Sequence, residues 1–108
     1  MTRSFAEAVE LLLINAEQLT ELIERGGTQT DLSELRAILV DLRTLVERDP
    51  GIEMAIQDLY ASCQPAVANK DAPPDHRRRR LIQEARLRLR DHAVRARPGP
   101  RAIDAGMS

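Results

Sequence analysis

Apolar residues recur at intervals of three and four along most of this 108-residue chain, with glycines and prolines between the periodic stretches. This spacing gathers the apolar side chains on one side of an α-helix, whereas a strand would need strict alternation. Phe5 and Tyr60 are the only aromatic residues, so the core has to consist mainly of Leu, Ile, Val and Ala. The sequence therefore predicts an all-α fold: an antiparallel helical hairpin, a short third helix and a basic, loosely attached fourth helix.

Capping signals and prolines divide the chain into segments. Ser4 with Glu7, and Asp31 with Glu34, have the spacing of a capping box, in which side chains satisfy free amide groups at a helix start. Pro50 suits the first position of a third helix, because its fixed φ angle is already helical. The predicted segments are an acidic core at 1–63 with helices at about 5–25, 32–48 and 50–62, a proline-containing linker at 64–75, an arginine-rich helix at 76–97 and a flexible tail at 98–108.

The two halves of the chain carry opposite charges, although the formal net charge is only −1. Residues 1–64 contain twelve acidic and five basic side chains, and residues 65–108 contain five acidic and eleven basic ones. Such an asymmetry is typical of a basic segment that binds nucleic acid, but two opposite halves can also neutralise each other within one fold. Net charge alone does not distinguish these alternatives.

The first interpretation of the arginine-rich helix is that its arginines pair with carboxylates on another helix and hold the two helices together. Glu10, Glu17 and Glu24 repeat at seven-residue intervals on the first predicted helix, and Arg86 and Arg90 belong to a stripe on the fourth. Apolar residues lie between the arginine stripes, as in a helix that packs against other polypeptide. The opposing carboxylates could belong to the same chain or to a partner.

A surface for a protein partner or a second copy follows from this interpretation. Leu13 and Ile14 fall outside the main apolar face of the first predicted helix, so their burial requires a second contact surface. The sequence therefore predicts a non-enzymatic accessory or regulatory protein that self-associates and binds protein through its helices. The predicted partner-binding residues are Leu13, Ile14, Ile82, Arg86, Leu87, Leu89 and Arg90.

Nucleic-acid binding is the alternative function, and a mostly solvated helix is a third interpretation. A nucleic-acid interface would use the arginines on backbone phosphates, and its affinity would fall steeply with salt as counterions are released. No aromatic side chain stands among the arginines to stack on bases. The predicted nucleic-acid contacts are Arg77, Arg78, Arg79, Arg80, Arg88, Arg95 and Arg97.

Residues for catalysis or metal binding do not form a recognisable set. His76 and His92 lie sixteen residues apart, which does not match the spacing of metal ligands on a helix. Cys63 lies on an apolar stripe, which predicts a buried and unreactive thiol. We therefore expect no catalytic residue, no cofactor, no metal and no small-molecule substrate. The lone cysteine and the lack of a long apolar run predict a cytoplasmic protein.

Overall fold

The computed structural model of the protein describes residues 4–68 and 74–107. Within those residues the chain forms five α-helices and no strand, which confirms the all-α prediction. The helices are α1 (Phe5–Glu24), α2 (Gln29–Leu45), α3 (Pro50–Ala68), α4 (His76–Ala93) and α5 (Pro100–Asp104). Positions 69–73 of the predicted linker lie outside the described residues.

The connection between α1 and α2 is a tight turn with its own helix cap. Gly26 has a φ angle of +99°, a backbone conformation that side chains with a Cβ rarely adopt. Thr28 rather than Asp31 caps α2: the Thr28 hydroxyl accepts from the Asp31 amide at 3.2 Å, and the Asp31 carboxylate accepts from the Thr28 amide at 2.9 Å. The second helix therefore begins at Gln29, three residues before the predicted start, and α1 and α2 pack against each other.

The buried face of α1 includes a residue that the sequence predicts outside it. Leu13 was expected outside the apolar face, but it is buried with Val9 and Ala16. The reason is that α1 contacts α2, α3 and α4. A helix with three neighbours buries a broader sector than a wheel drawn for one contact surface indicates.

The third helix continues through a proline that was expected to limit it. α3 extends to Ala68 with Pro65 inside it, although the sequence predicts an end near residue 62 and a linker from residue 64. A proline within a helix loses one backbone hydrogen bond and disturbs the preceding turn. Burial of Ala66 and Val67 in the core offsets this cost, so tertiary packing overrides the local signal.

The fourth helix is part of the core and is not loosely attached as predicted. Ile82, Ala85, Leu89 and Ala93 are almost completely buried, and α4 packs against both α3 and α1. The helix ends at Ala93, before the predicted end near residue 97. The reason is a tight turn at residues 94–96, in which the Ala96 amide donates to the Ala93 carbonyl at 3.1 Å.

The segment predicted as a flexible tail folds back onto α2 as far as residue 107. The Glu47 amide donates to the Arg97 carbonyl at 2.7 Å, and the Gly99 amide donates to the Leu45 carbonyl at 2.9 Å. This pairing ends α2 at Leu45, because the next residue turns extended to form a β-bridge with Pro98. The short helix α5 follows, with Ala102 buried.

We expect Gly99→Ala to destabilise the protein. A Cβ at this position would lie 2.5 Å from the Val46 carbonyl oxygen, so the two backbone segments would have to separate. Overpacking of this kind costs about 1–3 kcal/mol of unfolding free energy. Urea denaturation measures the loss of unfolding free energy. The control is Ala105→Ser, which also adds one heavy atom but at an exposed position. An unchanged midpoint for Gly99→Ala would contradict the docking of this segment.

Candidate interaction surfaces of the fourth helix

The start and rotation of α4 are determined locally and by packing. The Asp75 carboxylate caps the helix by accepting from the Arg78 amide at 2.8 Å. Burial of Ile82 and Leu89 then fixes which side of the helix faces the core. Every arginine of α4 consequently has a defined direction, and the arginines separate into an internal set and an exposed set.

Arg90 is held by two glutamates of α1. Its guanidinium donates from Nε and Nη2 to the two carboxylate oxygens of Glu17 at 2.7 and 2.8 Å. The same group donates from Nη1 and Nη2 to the two oxygens of Glu10 at 2.9 and 3.0 Å. Two paired hydrogen bonds to each carboxylate use the planar donor geometry that distinguishes arginine from lysine.

This arrangement shifts the protonation equilibria of both partners. Hydrogen bonding to Glu17 and Glu10 raises the pKa of Arg90, against the opposing effect of burial. Hydrogen bonding to Arg90 lowers the pKa of Glu10 below its ordinary value of 4.5. The charged forms of Glu10 and Arg90 are therefore the ones that the fold stabilises.

Arg86 reaches a more buried polar cluster one turn away along α4. Its Nη1 donates to the Thr20 hydroxyl at 3.1 Å and lies 3.5 Å from a carboxylate oxygen of Glu24. Glu24 is only 8% exposed, and its Oε1 has no hydrogen-bond partner in the described part of the chain. Cys63 is buried close by, and burial, with the nearby Glu24 charge, raises the pKa of its thiol to about 12.

The heptad glutamates therefore meet the arginine stripe within one chain. Glu10 and Glu17 pair with Arg90, and Glu24 pairs with Arg86. Because the later glutamate pairs with the earlier arginine, α1 and α4 run antiparallel. The sequence left open whether the carboxylates belong to the same chain or to a partner. The chain itself supplies the carboxylates that pair with these two arginines.

The predicted partner-binding residues are divided by this packing. Leu13, Ile82 and Leu89 are buried in the core of the same chain, and Arg86 and Arg90 are engaged in the ion pairs just described. These five residues were expected to contact a partner. Hydrophobicity alone does not distinguish a side chain that binds a partner from one that packs within its own chain. Ile14 and Leu87 remain exposed.

The predicted nucleic-acid contacts are all exposed. Arg80 pairs with Glu84 and Arg95 with Asp91, in each case between residues four apart in the chain. Among residues 4–68 and 74–107, no carboxylate lies within 4.0 Å of the guanidinium groups of the remaining five. These five are Arg77, Arg78, Arg79, Arg88 and Arg97.

An open groove of about 670 Å³ lies between α3 and α4, and three of these arginines line it. Arg77, Arg78 and Arg88 stand on the α4 side with Leu81, and Pro65 belongs to the α3 side. Asp58 and Asp75 also line the groove. The sequence did not predict this groove, because it forms where α4 packs beside α3, and that contact joins residues far apart in the chain. We call these three arginines the arginine surface.

Comparisons with known proteins add no relationship: no family model, no curated protein and no solved structure matches this chain. Within the described residues, no group of three or more histidine, cysteine or acidic side chains is placed to hold a metal ion. None of the helices there is both long and apolar enough to cross a membrane.

We expect Arg86→Leu to lower the unfolding free energy by about 3 kcal/mol, because it leaves the Glu24 carboxylate buried without its cation. The double variant Arg86→Leu with Glu24→Leu should regain most of that loss, since it removes both charges. Urea denaturation measures both effects. The control Arg88→Leu, at an exposed position, should change stability by no more than about 0.5 kcal/mol. A double variant less stable than the single one would contradict this account.

The Arg90 pairing predicts a defined pH dependence. Since the pKa of Glu10 is lowered on folding, its contribution is present above about pH 4.5 and is lost as the pH falls through the lowered pKa. The difference in unfolding free energy between the native protein and Arg90→Gln should therefore shrink on acidification. Arg88→Gln should show no such change. A constant difference from pH 7 to about pH 2 would contradict the role of Glu10.

Proposed function

We propose that this protein is a non-enzymatic accessory or regulatory protein that binds the phosphate backbone of nucleic acid through the arginine surface of α4. The observation that carries the proposal is the position of Arg77 and Arg78. They are exposed in the first turn of a well-packed helix and have no carboxylate within 4.0 Å among the described residues.

This position is electrostatically unfavourable in the isolated chain. The free amide groups at a helix N-terminus carry a partial positive charge, which favours acidic side chains in the first turn. The first turn of α4 contains no acidic residue, and Asp75 at the cap is the compensating negative charge there. Four consecutive arginines also repel one another. A polyanion on this surface would relieve both repulsions.

The packing of α4 supports binding to an extended polyanion. Ile82 and Leu89 hold the helix on the core, so the arginines do not have to be ordered together with their backbone on binding. Arg77 and Arg88 line the same groove and are eleven residues apart, about 16 Å along the helix. A duplex carries roughly one charge per 1.7 Å, so it can supply phosphates along the whole distance.

The composition of this surface favours backbone contacts over base recognition. Leu81 is the apolar side chain that α4 contributes to the groove, and no aromatic side chain stands beside the arginines to stack on a base. We therefore propose binding that depends little on nucleotide sequence.

Fluorescence anisotropy with a labelled random-sequence DNA duplex tests this proposal. The full chain should bind at about 50 mM salt, with an affinity that falls steeply as salt increases. The triple variant Arg77→Ala, Arg78→Ala and Arg88→Ala should weaken binding at least tenfold. It should also reduce the slope of log affinity against log salt by about 3, which corresponds to three lost phosphate contacts.

The matched control removes the same charge elsewhere. Arg25, Arg36 and Arg101 are exposed and lie outside α4, so their triple alanine variant has the same net charge as the test variant. It should retain most of the affinity. Absence of binding at about 50 mM salt, or equal losses in the two variants, would overturn the proposal.

Helix-mediated protein binding, including self-association, is a second candidate function. Ile14 and Leu87, two of the predicted partner-binding residues, are exposed on helices whose opposite faces pack in the core. This candidate uses a different side of α4 from the arginine surface.

A further inference from the structure

Three exposed apolar side chains flank the ion pairs between α1 and α4. Ile14 lies one helical turn from both Glu10 and Glu17, and Leu87 and Val94 lie one turn on either side of Arg90. Residues three or four apart are neighbours on a helix surface. Ile14 is 40% exposed, Leu87 66% and Val94 57%. We call these three residues with the Arg90 ion pairs the α1–α4 seam.

We infer that the α1–α4 seam is the contact surface between two copies of this chain, related by a two-fold axis. This inference deepens the second candidate function by naming its surface and its occupant, and it does not depend on nucleic-acid binding.

The charges beside the seam are complementary to a second copy. On α1, Glu7 and Glu21 stand seven residues before and after Ile14 and are exposed, with no basic group within 4.0 Å in the described chain. On α4, Arg79 is exposed with no carboxylate within 4.0 Å in the described chain, whereas Arg80 and Arg95 pair with Glu84 and Asp91. Because α1 and α4 run antiparallel, Glu21 and Arg79 lie at the same end of the seam, as opposite charges without an ion-pair partner in the described chain.

A surface of this kind matches its own rotated copy. A rotation of 180° about an axis along the seam places α1 of each chain over α4 of the other. Glu21 of each chain then lies over the end of α4 that carries Arg79 in the other, and the exposed apolar residues of the two chains face each other. Closed two-fold dimers use one self-complementary patch in this way.

The size of the seam is sufficient for a weak dimer. α1 has 20 residues and α4 has 18, which corresponds to roughly 30 Å of helix, and two adjacent helices span about 20 Å. Contact over this face would cover on the order of 600 Å² per chain, or about 1,200 Å² in total, the lower limit for specific protein interfaces. We therefore expect a dimer that dissociates on dilution.

The dimer would leave the arginine surface accessible. Arg77 and Arg88 line the groove on the α3 side of α4, whereas Leu87 and Val94 lie on the side nearer Arg90 and α1. A second copy on the seam would therefore carry a second arginine surface without covering the first.

Sedimentation equilibrium of the full chain tests the inference, over a range up to about 100 µM because the interface is small. The native chain should approach the mass of two chains as its concentration rises. The double variant Leu87→Asp with Val94→Asp should raise the dissociation constant at least tenfold, and Ile14→Ser should weaken association in the same direction. Circular dichroism should show unchanged helix content, since all three positions are exposed.

The matched controls carry the same change away from the seam. Met54 on α3 is 65% exposed, and Leu81 on α4 is 47% exposed in the groove. The double variant Met54→Asp with Leu81→Asp, which adds the same two carboxylates, should leave the dimer intact. A native chain that stays monomeric throughout this range would overturn the inference, and so would equal losses in seam and control variants. Binding of DNA by a monomeric chain would overturn the dimer and leave the nucleic-acid proposal standing.

Discussion

The burial of one apolar stripe on α4 is the constraint on which the remaining structure depends. Ile82, Ala85, Leu89 and Ala93 are enclosed between α1 and α3. Burial of apolar area on this scale is the dominant attraction in a core that is poor in aromatic side chains. It fixes the rotation of α4, and the rotation in turn decides that Arg86 and Arg90 point to α1 while the first-turn arginines point outward.

The internal ion pairs determine how α4 is positioned on α1 more than they add to the stability of the packing. Ion pairs that remain in contact with water contribute about 0–1 kcal/mol each, whereas a charge left alone in the interior is costly. Arg90 can satisfy Glu10 and Glu17 together only at one height of α4 along α1. Buried Glu24 keeps one oxygen without a partner in the described chain, so its pairing with Arg86 is incomplete.

The two proposed surfaces lie on different sides of α4 and require different chemistry. The arginine surface is cationic and borders an open groove, which suits a polyanion. The α1–α4 seam combines exposed apolar side chains with charges of both signs, which suits another protein surface. Because the helix is already anchored by its core stripe, both surfaces can be occupied without refolding of α4.

The sequence by itself determined the fold class, the existence of the four long helices and the complementarity of Glu10, Glu17 and Glu24 with the arginine stripe. Helical periodicity and capping depend on residues within one or two turns, so the sequence displays them directly. Tertiary structure decided that α3 continues through Pro65, that the segment after Arg97 docks on α2, and that Leu13, Ile82 and Leu89 are internal. These outcomes depend on contacts between residues far apart in the chain. A leucine that packs in the core of its own chain and a leucine that binds a partner show the same local sequence pattern.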